Sequence, residues 1–160
     1  MKKTANWITR STLPGMIAMA GLLLAFSAPA NAGTTRVEDN DISVVYGGVW
    51  YTATSSQLSG GSGHESNIVG STASLVFTGT GVTWISYTCS CEAGISNVYV
   101  DGKFAATVDT YSPTPQAQVP VFTVANLAPG VHILTIEVTG QYDPRGQTAY
   151  VMVDAFDVTQ

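Results

Sequence analysis

From Ile42 to Val158 apolar residues recur in short runs, and each run stops at Gly, Pro, Asn, Asp or Ser. The runs are rich in Val, Ile, Thr, Tyr and Phe, the residues that suit a pleated, half-buried surface. In Thr72 to Thr78 the period is two: Ala73, Leu75 and Phe77 face one way and the hydroxyl residues the other, an edge or outer-sheet pattern. The pattern predicts strands at Ile42–Tyr46, Val49–Thr54, Thr72–Thr78, Val82–Thr88, Ile95–Val100, Lys103–Val108, Val119–Ala125, Val131–Thr139 and Ala149–Val158. No run has the length or period of a helix. The last strand is apolar on both faces apart from Asp154 and Asp157, which predicts a central place for it.

The turns sharpen this picture. Asp101-Gly102 between Val98-Tyr99-Val100 and Lys103-Phe104-Ala105 supplies the two positive φ angles of a two-residue hairpin. Leu127-Ala128-Pro129-Gly130 reads as another turn, with Pro fixing φ and Gly taking the left-handed position. Gln57 to Gly70, rich in Gly and Ser, reads as a long surface excursion, partly strand. Trp50 and Trp84 lie among apolar neighbours inside strands, which predicts core packing rather than a binding role. Connection lengths alternate along the second half of the chain. The short ones are at Gly79-Thr80-Gly81, Asp101-Gly102 and Asn126–Gly130; the long ones are at Thr88–Gly94, Asp109–Gln118 and Gly140–Thr148. If consecutive strands are antiparallel, the fold is an all-β antiparallel β-sandwich with its tight turns at one pole and its long loops at the other.

Residues 1–32 stand apart from this pattern. Lys2, Lys3 and Arg10 precede an apolar stretch from Met16 to Phe26 that closes on Ala30-Asn31-Ala32, the layout of a secretory signal peptide cut after Ala32. The stretch is shorter than the roughly 20 residues of a spanning helix, so no membrane insertion is expected after cleavage. Residues 33–160 then form a single domain in a secreted protein, periplasmic or extracellular. Three of the six basic residues precede residue 33 and all eleven acidic ones follow it, leaving a net charge of −8 on that segment. An acidic, lysine-poor surface has the wrong sign for phosphate backbones, which excludes nucleic acid as a partner.

Several segments resemble a known family. Tyr46-Gly47-Gly48-Val49-Trp50, Ser59-Gly60-Gly61-Ser62-Gly63-His64 and Phe77-Thr78-Gly79-Thr80-Gly81-Val82-Thr83-Trp84-Ile85 are similar to the first half of a galactose-binding-like jelly roll of secreted proteins. Val98-Tyr99-Val100-Asp101-Gly102, Val108-Asp109-Thr110-Tyr111-Ser112 and Tyr150 to Val158 resemble its hairpin, its following loop and its closing strand. The resemblance implies a jelly-roll sandwich that serves mostly as a carbohydrate-binding module, with adhesion and protein contacts as other uses. It also implies a structural calcium where the first strand meets the last. Glu38, Asp39 and Asp154, with Asp41 and Asp157 nearby, are the hard-oxygen candidates. The residues themselves demand no other cofactor.

The long-loop pole carries the chemistry a sugar needs: aromatic platforms for CH-rich faces and polar groups for hydroxyls. Tyr111 and Tyr142 are the expected platforms, with Gln116, Asp143, Arg145 and Gln147 as hydrogen-bonding groups and Glu92 near the rim. Arg145, with its planar fork, suits a carboxylate or a diol; the alternative is that it pairs with Asp143 or Glu92. The expectation is therefore a lectin-like module for an extracellular or cell-surface glycan. A structural or adhesive protein, presenting a flat apolar face or an unpaired edge strand, is the alternative.

Catalysis is not expected. Gly60-Gly61-Ser62-Gly63-His64 lacks the closing Gly and the strand-to-helix context of a nucleophile elbow, and no carboxylate spacing marks a glycosidase. Cys89 and Cys91 can bond intramolecularly only to each other, and Cα atoms two apart in a straight strand are about 6.5–7 Å from one another, at the long edge of disulfide geometry. A bridge requires the chain to buckle. A structural disulfide between Cys89 and Cys91 is the expectation, with a redox-active pair or two free thiols as the alternatives. His64 and His132 lack ligand spacing to the cysteines, which argues against zinc.

Overall fold

A computed structural model describes residues 33–160; the signal-peptide assignment lies outside the described residues. These form one compact unit of twelve strands with no α-helix. In chain order the strands are β1 (Thr34–Glu38), β2 (Val44–Gly47), β3 (Tyr51–Thr54), β4 (Ser62–Ser66), β5 (Thr72–Gly79) and β6 (Gly81–Thr88). There follow β7 (Gly94–Val100), β8 (Lys103–Asp109), β9 (Gln116–Val124), β10 (Gly130–Tyr142), β11 (Val151–Val153) and β12 (Ala155–Thr159). Every pairing is antiparallel.

A four-stranded sheet, β1-β12-β6-β9, faces a five-stranded sheet, β2-β5-β10-β7-β8, and a small sheet, β11-β4-β3, completes the fold. Trp84, Phe156, Val82 and Val158 of the first sheet meet Ala73, Leu75, Phe77, Leu134, Ile136 and Val98 of the second in one apolar core. Trp84 is fully buried, and its Nε1 donates to the Met152 carbonyl at 3.2 Å. Trp50 is half-buried against the same core and donates to the Gly47 carbonyl. The predicted alternation in β5 holds, but β5 runs between β2 and β10 and is not an edge.

Other expectations are corrected. Thr34–Glu38 is a strand that the pattern did not show, paired with β12 from Thr34↔Thr159 to Glu38↔Ala155. Its sequence, TTRVE, offers a single apolar residue, as an exposed edge requires. Ile42 belongs to a turn and is 97% exposed; Asp41 Oδ1 accepts from the Ser43 N–H and hydroxyl and holds that turn. The run Ala149–Val158 is not one strand: it breaks at Asp154, leaving β11 in the small sheet and β12 in the four-stranded one. Only β12 is central, between β1 and β6, whereas β11 is the edge of the small sheet; Val151–Phe156 are nevertheless all buried. At the Asp101-Gly102 hairpin φ is 51° and 73°, as a two-residue turn needs, whereas after β9 Asn126 (φ 60°) takes the left-handed position that was expected of Gly130.

The poles are as the connection lengths implied. At the tight-turn pole the Thr80 N–H donates to Thr159 and Leu127 donates to Thr80, while Gln160 donates to the Gly33 carbonyl at 2.9 Å. The three long loops gather at the opposite pole. Ala93 donates to Thr148, Asp143 to Ala93, Gln147 to Ser90 and Thr110 to Gly94. Glycine makes this approach possible at two places: a Cβ on Gly94 would lie 2.4 Å from the Ala149 oxygen, and one on Gly146 would lie 2.3 Å from the Ala93 Cβ.

Candidate functional site

At the long-loop pole the loop after β10 turns on Asp143, whose Oδ1 accepts from the Arg145 N–H at 2.8 Å. The same carboxylate takes the Arg145 side chain in a two-pronged bond, Nε to Oδ1 at 2.9 Å and Nη2 to Oδ2 at 2.7 Å. These bonds hold the Asp143 carboxyl well below the usual carboxylate range and raise the guanidinium further. The guanidinium carbon lies 4.1 Å from the centre of the Tyr111 ring, a cation–π contact. Asp109 Oδ1 in turn accepts from the Tyr111 N–H at 2.8 Å.

The result is an arginine oriented before any ligand arrives. Its side chain is 67% exposed, and Nη1 has no partner among the described residues, so one end of the fork can still donate. Tyr142 is 48% exposed at the end of β10, and Gln147 is exposed beside Arg145. Gln116 is partly used, its amide donating to Ser112 Oγ at 3.0 Å. Tyr111, Asp143 and Arg145 therefore form one contiguous group. Glu92 lines a different concavity, together with Glu65 and Tyr87.

Cys89 and Cys91 are joined in a disulfide with their Cα atoms 5.2 Å apart, so the chain does buckle on leaving β6. The Glu92 N–H folds back to Cys89 Sγ at 3.0 Å, and Thr148 Oγ1 donates to the Cys91 carbonyl. The bridge thus shapes the loop that carries Glu92.

The calcium ligand set is not formed as expected. Asp39 is fully buried and committed: Oδ1 accepts from Ser62 Oγ at 3.0 Å and Oδ2 lies 2.7 Å from His64 Nδ1. Thr52 Oγ1 approaches His64 Nε2 at 3.4 Å, and Tyr46 stacks on the imidazole at 4.4 Å. Asp157 is occupied by Arg36. Glu38 and Asp154 differ: they share Ser59 as a donor, and Glu38 Oε2 and Asp154 Oδ2 are each buried without a partner. Those two oxygens suit a hard cation, but among the described residues no three His, Cys, Asp or Glu side chains converge on one point. Backbone and water oxygens would have to complete such a site. The Asp39–His64 pair had no sequence signal, since its members are 25 residues apart and meet only when β4 forms.

Among the described residues no helix is long and apolar enough to cross a membrane. No family model matches the chain. It is 31% identical over 100 residues to an A type blood N-acetyl-alpha-D-galactosamine deacetylase of Flavonifractor plautii, covering 62% of this chain and 13% of the relative. It is 28% identical over 104 residues to an A type blood alpha-D-galactosamine galactosaminidase of the same organism, covering 65% and 10%. The chain thus spans about an eighth and a tenth of the curated relatives it matches.

These relatives overturn the expectation of no catalysis as a reading of the chain's kin, because both are named as enzymes. Among solved structures the CBM36-1 domain of a multidomain xylanase from the hindgut metagenome of Trinervitermes trinervoides superposes with a TM-score of 0.52 at 17% identity. The match covers 79% of this chain and 96% of that one, and it shows the β-sandwich fold. Other structural neighbours are carbohydrate-active proteins, among them a two-domain esterase active on acetylated mannans and an exo-beta-1,3-galactanase.

Proposed function

We propose that residues 33–160 are a secreted carbohydrate-binding domain of the galactose-binding-like jelly-roll kind, and that the long-loop pole takes the glycan. The observation that carries this reading is Arg145, fixed by Asp143 and Tyr111 and left with a free Nη1 at an exposed loop tip. An oriented guanidinium loses little rotamer freedom when a hydroxyl pair or carboxylate docks on it. Tyr142 supplies an exposed ring for a sugar face, and Gln147 and Gln116 supply amides. The relatives, both named for galactosamine chemistry, support a glycan as the ligand.

A glycan array probed with the exported protein, with and without calcium, tests the reading. The expected result is a defined set of glycans whose binding falls at least tenfold in Arg145→Ala and Tyr142→Ala, with thermal midpoints nearly unchanged. Unaltered affinity in both variants would remove the loop pole from consideration.

A second reading, a structural or adhesive role, draws on the outward face of the five-stranded sheet. Val45, Val76, Val131 and Ile133 are exposed there, Val76 directly opposite Ile133 across β5 and β10. Sedimentation of wild type and Ile133→Thr decides it: self-association lost in the variant supports this reading, and a monomer at high concentration ends it.

A further inference from the structure

A concavity of about 290 Å³ lies beside the small sheet, separate from the Arg145 group. Its apolar lining includes Leu58 and Met152, 6% and 5% exposed, and its polar lining includes Gln57, Tyr87, Glu65 and Glu92. Register explains how the carboxyl of Glu65 comes to this side. Glu65 stands opposite Tyr51 on β3 and Met152 on β11, while its neighbours Ser62 and His64 reach Asp39. Gly63 shares the face of Glu65, and a Cβ there would meet Met152 Sδ at 3.2 Å and Leu58 Cδ1 at 3.4 Å. The missing side chain lets those two residues close over β4.

The charge on this concavity is not balanced. No Arg, Lys or His lines it, and neither glutamate takes part in a salt bridge among the described residues. Glu92 Oε2 is buried without any hydrogen-bond partner. Burial pushes both carboxyls up; that of Glu92 reaches about 7, with the charge of Glu65 as the second cause. A desolvated carboxylate without a partner is costly, and a cation brought by a ligand would relieve that cost.

We propose that this concavity is a second ligand site, one that takes the protonated amine of a 2-amino sugar between Glu65 and Glu92. The volume sits at the small end of ligand pockets, which start at about 300 Å³, and so suits one ring rather than a chain. Leu58 and Met152 offer an apolar surface to the CH face of the ring, and Gln57 and Tyr87 offer partners for its hydroxyls. The site does not depend on the loop-pole reading and survives its failure.

Amide NMR of the exported protein at near-neutral pH tests the proposal by titration with D-glucosamine and D-galactosamine. N-acetyl-D-glucosamine, D-glucose and ethanolamine serve as controls. Both amino sugars should shift the amides around Glu65, Glu92 and Met152 and bind at least tenfold tighter than each control. Glu92→Gln, which keeps the shape of the side chain, should weaken them at least tenfold, as should Glu65→Gln, while Arg145→Ala leaves them unchanged. If Glu92→Gln melts early, Glu65→Gln decides. Equal affinity for glucose or the N-acetyl sugar, equal affinity for ethanolamine, undiminished binding in the folded glutamine variants, or no shift at tens of millimolar would each overturn it.

Discussion

Asp154 has no exposed surface, yet only Oδ1 is satisfied, by the Ser59 N–H at 2.8 Å. Burial, with the charges of Glu38 and Asp39 adding to it, pushes its carboxyl up to about 6 from 3.8. The folded state therefore binds a proton more tightly than the unfolded one, and the group opposes folding as pH rises through 6. In chelator, Asp154→Asn should gain stability at pH 7.5, up to about 3 kcal/mol, with about half of the gain left at pH 5 and little at pH 4; chemical denaturation at the three pH values checks this. Where backbone and water oxygens complete a calcium site on Asp154, the ion should raise the thermal midpoint of wild type and leave the variant unmoved. Stabilisation of both alike would separate the cation from Asp154.

At the scale of the strand, Trp84 and Gly94 carry opposite duties. Trp84→Ala empties the centre of the sandwich and leaves the Met152 carbonyl with Ser86 Oγ as its one side-chain donor, and should cost about 3–5 kcal/mol in denaturant melts. Gly94→Ala would drive a methyl into the Ala149 and Tyr150 carbonyls, 2.4 and 2.5 Å away, and should cost at least about 1–3 kcal/mol while loosening the Cys89–Cys91 loop. Much of this architecture was legible beforehand: period-two alternation marked β5, Asp101-Gly102 fixed its hairpin, and loop lengths sorted the poles. β1 escaped because an exposed edge needs no apolar face, and β11 and β12 looked continuous because a change of sheet leaves no mark on a run buried on all sides. Tyr111, Asp143 and Arg145 were legible as a group through their loops. Glu65 and Glu92, 27 positions apart, were not, because only the pairing of β4 with β11 and the buckle at the disulfide bring them to one concavity.

Across the whole molecule the hydrogen bond from Gln160 to Gly33 sets the two flanks of the domain side by side at the tight-turn pole, with β6 carrying the chain from there to the long loops. A short linker from Gln160 back to Gly33, with the chain reopened between Asp101 and Gly102, should give a permuted protein with wild-type thermal stability to within a few degrees and unaltered glycan binding. Circular dichroism melts and the array would show it; a permutant that fails to fold would mean that β7 and β8 must be contiguous for the sandwich to form. The same geometry makes the domain directional. A surface, a bead or a neighbouring domain joined through either flank stands behind the loops, so the long-loop pole looks outward from whatever the domain is mounted on.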